Sequence, residues 1–265
     1  MRRTNQELVA GSTAHYTDPA YYSATYQDRR EDVLYYFAHA TAHGGPVLEI
    51  GVGNGRIALP IARAGVEITG VDLSPTMLAD FRAVLREEPA EVRRRVTLKR
   101  ADMRKFKLGR RYRSVYCTFN TALHLYTRQD VEGFLACARA HLLPEGELVM
   151  DLSMPIAADL ARDPNRAYRA PRFRHPTAGV VRYEERFDYD PATQVLYISS
   201  TFEPVNGAMP FMVPLAHSQF YPREWESLLH YNGFEVTALF GDFFGAPLDR
   251  YSDTMVWHAK KRKKV

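Results

Sequence analysis

Cysteine is scarce: only Cys117 and Cys137 occur among 265 residues. Two are too few for a disulfide framework, and their apolar strand-like and helical settings read as buried thiols. Long apolar runs are also missing. No stretch reaches the roughly 18 residues of a membrane span, and Met1-Arg2-Arg3-Thr4 opens without the apolar segment of a secretory signal. A cytoplasmic protein with no membrane contact is expected. There is no internal repeat, and no close-set His, Cys, Asp or Glu group at ligand spacing, so no metal is expected either. The net charge of +4 is concentrated at one end, where Lys260, Lys261, Arg262, Lys263 and Lys264 supply five positive charges. The rest of the chain is nearly neutral. Residues 260–265 therefore read as a solvated basic tail, and no nucleic-acid partner is expected.

What is present is a globular composition, 46% hydrophobic and 12% aromatic, with an alternating α/β pattern from residue 46. Strands are expected at Val47 to Ile50, Val66 to Val71, Val96 to Lys99, Ser114 to Phe119 and Glu147 to Leu152. Helices are expected at Arg56 to Ala64, Pro75 to Arg86 and Arg128 to Leu142. Ser74 with Pro75, and Thr127 with Asp130, carry helix-start chemistry. Residues 1–45 form a tyrosine-rich N-terminal lid or layer ending in a helix through Val33, Leu34, Phe37 and Ala38. Residues 155–222 break the pattern: a proline-punctuated loop leads to a hairpin around Asp190-Pro191-Ala192-Thr193 and an extended run from Phe211 to Tyr221. The α/β pattern then resumes over 223–259, with a helix from Arg223 to Tyr231 and strands Phe234 to Phe240 and Thr254 to Ala259. The domain is thus 46–154 with 223–259, interrupted by an inserted antiparallel β cap on the substrate side. Its alternating apolar residues would equally serve a homodimer surface.

Glu49-Ile50-Gly51-Val52-Gly53-Asn54-Gly55 ends a strand and opens a helix, where glycines allow a sharp turn and the free N–H groups of a helix start face a nucleotide-like ligand. A dinucleotide fingerprint would place its third glycine one residue later, at Arg56. Asp72 ends the second strand, where an acceptor-only carboxylate suits a vicinal diol.

These residues resemble motif I of the class I S-adenosylmethionine-dependent methyltransferases. The resemblance continues through Gly70-Val71-Asp72-Leu73-Ser74-Pro75-Thr76-Met77-Leu78, Arg100-Ala101-Asp102-Met103-Arg104, and the regions of the fourth and fifth strands. It implies a Rossmann-like, doubly wound, mostly parallel seven-stranded sheet whose last strand is antiparallel, and S-adenosylmethionine as cofactor. By that resemblance Glu49 helps hold the methionine amino group, Asp72 the ribose and Asp102 the adenine amino group, unless Asp102 pairs with Arg104. Gly51, Gly53, Asn54 and Gly55 form the turn, while Leu73, Met77 and Met103 contact the adenosine. Asn120 lines the crevice and Tyr26 covers the cofactor.

The segment Cys117 to Leu125 is similar to the matching loop of amino-sugar N,N-dimethyltransferases. The similarity makes His124 the candidate base or substrate contact, with Tyr16 and Tyr22 on the substrate side. The expected reaction is methyl transfer to an amino or hydroxyl group of a small molecule. A nucleic-acid methyltransferase and a non-catalytic S-adenosylmethionine-binding paralogue are the alternatives. The first is disfavoured by Phe119-Asn120-Thr121-Ala122, which replaces the Asp/Asn-Pro-Pro-aromatic string of amino-directed nucleic-acid enzymes.

Overall fold

The computed structural model describes residues 5–262, so Met1 to Thr4 and the end of the basic tail from Lys263 lie outside the described residues. The helices are α1 (Asn5–Thr13), α2 (Pro19–Tyr26), α3 (Glu31–His43), α4 (Ala58–Arg63), α5 (Pro75–Arg86), α6 (Ala90–Arg95), α7 (Arg128–His141), α8 (Ala157–Leu160) and α9 (Pro222–Tyr231). The strands are β1 (Val47–Ile50), β2 (Ile68–Asp72), β3 (Val96–Arg100), β4 (Tyr112–Cys117), β5 (Leu142–Ser153), β6 (Tyr168–His175), β7 (Gly179–Asp190), β8 (Val195–Pro204), β9 (Phe211–Ser218), β10 (Phe234–Phe240) and β11 (Thr254–Lys261). No helix among the described residues is long and apolar enough to cross a membrane. The chain divides into two compact units, Arg29–Met154 with Phe220–Val265 and Met1–Asp28 with Pro155–Gln219.

The larger unit is a seven-stranded sheet in the order β10-β11-β5-β4-β1-β2-β3. β1 to β5 run parallel to one another, and β11 lies antiparallel between β5 and β10. This is the doubly wound topology that the resemblance implies. A parallel sheet is covered on both faces, which is why all four residues of β1 are buried. One apolar layer joins Leu48, Ile50, Phe134, Leu135 and Trp225; the other joins Tyr36, Ala40, Ile61, Leu78 and Phe81. Helix starts follow the local chemistry. Ser74 Oγ accepts from the Met77 N–H and Pro75 takes the first helical position, while Thr127 and Asp130 form a reciprocal capping box.

The helix expected through Val33, Leu34, Phe37 and Ala38 is α3; it buries Asp32, Tyr36 and Ala40, whereas Leu34 is exposed, so its buried face carries a paired acid. Three sequence expectations change. The helix after the glycine turn starts at Ala58, because Arg56 and Ile57 belong to the turn. β11 continues through Lys261, whose Nζ donates to the Leu142 carbonyl at 2.5 Å, so the first two lysines of the basic run are strand residues. Cys117 is buried as expected, but Cys137 is only partly so.

The smaller unit is a four-stranded antiparallel sheet, β6-β7-β8-β9. The expected hairpin is β7 and β8, paired from Val181↔Pro204 to Asp190↔Val195. β6 was expected as loop because Pro171 interrupts it; the proline sits at a register irregularity on an edge strand, where a missing N–H is tolerated. The N-terminal layer set at 1–45 is divided: residues to Asp28 belong here and α3 belongs to the larger unit. α1 lies so close to β9 that a Cβ on Gly11 would fall 2.6 Å from the Ala216 Cβ. Tyr21, Val181 and Phe202 form the core of this unit, with Tyr21 stacked on His175 at 4.9 Å.

Candidate functional site

The carboxyl ends of β1, β2, β4 and β5 and the loop after β3 bring the expected residues of the larger unit to one edge of the sheet, the edge where open α/β sheets bind ligands. The chain leaves β1 through Gly51, whose N–H donates to the Val71 carbonyl at 2.8 Å. Gly51 has φ 77° and a Cβ there would sit 2.4 Å from Thr121 Oγ1. Gly55 has φ 85° and a Cβ would sit 2.3 Å from the Phe81 ring. Both positions require glycine for backbone angle and for space. Met77 is buried, with its Cε 3.3 Å from a Cβ built on Gly53. Asn54 is half-buried and Leu73 exposed.

Asp72 is the keystone of this turn. Its Oδ2 accepts from the Gly53 N–H and its Oδ1 from the Ser74 N–H, both at 2.8 Å. Burial raises the carboxyl above its ordinary range, against the pull of those backbone donors. An ionised carboxylate has about four acceptor positions, so each oxygen keeps a lone pair for a further donor.

Glu49 is 2% exposed. Its Oε1 accepts from Thr118 Oγ1 at 3.2 Å, while Oε2 is buried with no hydrogen-bond partner. Burial pushes its pKa up to about 8, opposed by the Thr118 bond and the Arg56 charge. A buried acceptor left unpaired costs free energy, and a ligand N–H donor would remove that cost.

The remaining expected residues divide. Asp102 does pair with Arg104, whose Nη2 donates to Oδ2 at 2.7 Å while its Nη1 donates to Asp130 at 2.7 Å; the Arg104 hydrogen bond holds the Asp102 carboxyl below its ordinary value. Met103 packs on the core. Asn120 adopts φ 63°, and its side chain clips the ends of β4 and β5 together, accepting from the Ser153 N–H at 2.6 Å and donating to Ser153 Oγ at 2.9 Å. His124 ends a 3-10 turn, half-buried, with Nδ1 3.2 Å from the Tyr126 hydroxyl. Tyr16, Tyr22 and Tyr26 lie in the smaller unit, their rings gathered around His15, whose Nε2 meets the Tyr26 hydroxyl at 3.0 Å. Burial lowers the His15 pKa to about 4.

Sequence reasoning missed a second layer. Arg56 forks onto the fully buried Asp32 at 2.8 and 2.5 Å, anchoring the start of α3 to the glycine turn. Its guanidinium and that of Arg29 lie over the Phe119 ring at 4.8 and 4.9 Å. Phe119 itself has φ 51°, held by an N–H bond to Asp151 Oδ1 at 2.9 Å; the same oxygen accepts from the Tyr36 hydroxyl at 2.7 Å. Burial raises the Asp151 pKa to about 6. The only local signal was Arg56, standing where a dinucleotide turn would have glycine; the partners Asp32, Tyr36 and Asp151 are brought by the fold.

A family model described as a methyltransferase domain matches residues 47–146. The chain is 33% identical over 105 residues to a dTDP-3-amino-3,6-dideoxy-alpha-D-glucopyranose N,N-dimethyltransferase from Streptomyces fradiae, an alignment covering 40% of this chain and 38% of that enzyme. The chain thus spans about two fifths of that curated relative. Among solved structures, the CcbJ methyltransferase from Streptomyces caelestis superposes with a TM-score of 0.79 at 24% identity, covering 95% of this chain and 99% of that one; that likeness is one of fold. The glycopeptide N-methyltransferase MtfA, solved with S-adenosylmethionine, gives a TM-score of 0.61 at 26% identity, with 87% of each chain covered.

Proposed function

We propose that this chain, a class I S-adenosylmethionine-dependent methyltransferase by its fold and by the domain at residues 47–146, transfers a methyl group to an amino group of a small molecule. Amino sugars are the first acceptors to try, given the N,N-dimethyltransferase relative. The observation that carries the reading is Glu49 Oε2, a buried acceptor without a partner at the mouth of a glycine turn.

The residues suit the cofactor. Glu49 Oε2 takes an ammonium hydrogen, Asp72 keeps acceptor capacity for two ribose hydroxyls, and the Gly51 to Gly55 turn brings backbone close to the ligand. When bound, S-adenosylmethionine supplies an electrophilic methyl group on a sulfonium with a good leaving group. What the protein must add is alignment, because in-line displacement gains most from holding two reactants in register. Asp72 and Glu49 fix one partner at two points. Asn120, locked to Ser153, and Phe119, held by Asp151, fix the loop after β4 on which His124 rides. An ammonium acceptor must lose a proton before its lone pair can attack, and His124 is the residue assigned to accept it. Acceptor choice is assigned to the smaller unit, which carries Tyr16 and Tyr22.

The test is a mass screen of purified protein with S-adenosylmethionine against amino sugars and other small amines, seeking a gain of one methylene. His124→Gln should lower kcat by about 10²-fold or more with cofactor affinity unchanged. Acceptors gaining mass only at hydroxyls would redirect the assignment.

A further inference from the structure

Away from that edge of the sheet, a cluster of side chains plays no part in the reaction above. His39 of α3, Glu147 of β5 and His258 of β11 converge beneath α3. Glu147 Oε2 lies 3.0 Å from His39 Nε2 and 3.2 Å from His258 Nδ1, and the three ligand atoms all fall within 4.8 Å of one another. Glu147 precedes Asp151 by four residues on β5, about 13 Å of strand, so the cluster lies well back from the cofactor residues.

We infer that His39, Glu147 and His258 form a binding site for one divalent transition-metal ion of the zinc type, with a structural role. Tetrahedral zinc with bonds of about 2.0–2.1 Å sets neighbouring donors about 3.3 Å apart, so the two spacings to Glu147 require adjustments of a few tenths of an ångström and the two imidazole nitrogens, within 4.8 Å of each other, a larger approach. Two imidazoles and one carboxylate are a zinc ligand set, leaving the fourth position to water.

The surroundings resemble the second layer of a built site. The far nitrogen of each imidazole meets a tyrosine hydroxyl: His39 Nδ1 lies 2.7 Å from Tyr116, and His258 Nε2 is hydrogen-bonded to Tyr35. Such partners fix ring orientation and choose the tautomer that turns the other nitrogen toward the ion. Thr237 donates to the second carboxylate oxygen, Oε1, at 3.3 Å. His43 stacks on His39 with ring centroids 4.2 Å apart. The ligand side chains are 8%, 15% and 11% exposed, sheltered yet reachable. An ion here would join a helix to two strands, pinning the helix that carries Asp32 and Tyr36. The proposal is independent of the transfer reaction.

Tag-free protein, dialysed against chelator, is titrated with Zn²⁺ by calorimetry and with Co²⁺ by visible absorption. One saturable equivalent is expected, with tetrahedral cobalt bands and a rise in Tm on loading. The double variant H39Q/H258Q should abolish uptake. Should that variant fail to fold by circular dichroism, Glu147→Gln should weaken Zn²⁺ by about 100-fold, and Tyr116→Phe by about 10-fold. No saturable equivalent, or the same uptake in the variants, overturns the site.

Discussion

Glu49 answers to different partners in its two protonation states. In the free protein its pKa is raised to about 8 by burial, so the neutral form is favoured; Thr118 and Arg56 pull the other way, and Asp72 and Asp32 push with burial. The ammonium of the cofactor requires the anion. Binding at pH 7 should therefore release nearly one proton, as calorimetry in buffers of differing ionisation heat will record. Because the folded pKa exceeds the ordinary 4.5, the stability this group contributes is fully present below about pH 4.5 and is lost as pH rises through about 8. Glu49→Gln should remove that decline, making the variant more stable than the parent at pH 9 by roughly 3–5 kcal/mol while weakening the cofactor. Equal pH slopes in urea titrations would refute this. Asp72→Ala should weaken S-adenosylmethionine by about tenfold or more, since a charged acceptor for two donors is lost; unchanged affinity by the same calorimetry counts against its role. The placement of both acids at strand ends beside the glycine turn was legible in the sequence because the motif is local. Asp32, Tyr36 and Asp151 were not: each is polar and buried only through a partner far away in the chain, and no spacing encodes that.

At the scale of elements, the parallel strands were readable because strands buried on both faces are continuous apolar runs. α3 was legible as a helix but its buried face was not, since that burial rests on the Asp32 fork to Arg56 as much as on apolar contact. β6 was missed because an edge strand tolerates Pro171 and three of its eight residues are exposed arginines that mimic a loop. The Gly51 to Gly55 turn was legible for the opposite reason, since backbone angle and crowding both select glycine. Gly55→Ala meets φ 85° and the Phe81 ring and should cost about 2–4 kcal/mol, seen as a lower urea midpoint with an unchanged slope. A loss below about 0.5 kcal/mol would mean that the turn relaxes freely.

For the whole molecule, the two units set what a deletion reports. Val181 and Phe202 lie on β7 and β8 and form the core of the smaller unit, so replacing Val180–Phe202 with a glycine-serine linker removes that unit's core rather than a projecting hairpin. Methyl transfer should vanish and S-adenosylmethionine binding persist in the larger unit; transfer that survived would place acceptor recognition elsewhere. The hairpin was visible in the sequence, but its alliance with Met1–Asp28 was not, because α1 and α2 show no apolar stripe that points to a distant sheet.

That alliance has a consequence for synthesis. A ribosome makes residues 5–28 well before the strands that cover Tyr21 and Gly11, which are completed only when Gln219 has been added. At about 5–20 residues per second the wait is on the order of ten seconds or more. Helices α1 and α2 therefore leave the exit tunnel with apolar surface uncovered, and β5 likewise waits for its later partner β11. Chaperone demand during translation should thus track α1 and α2, and a circular permutant that begins at Arg29 and carries these helices after β9 would shorten the exposed interval.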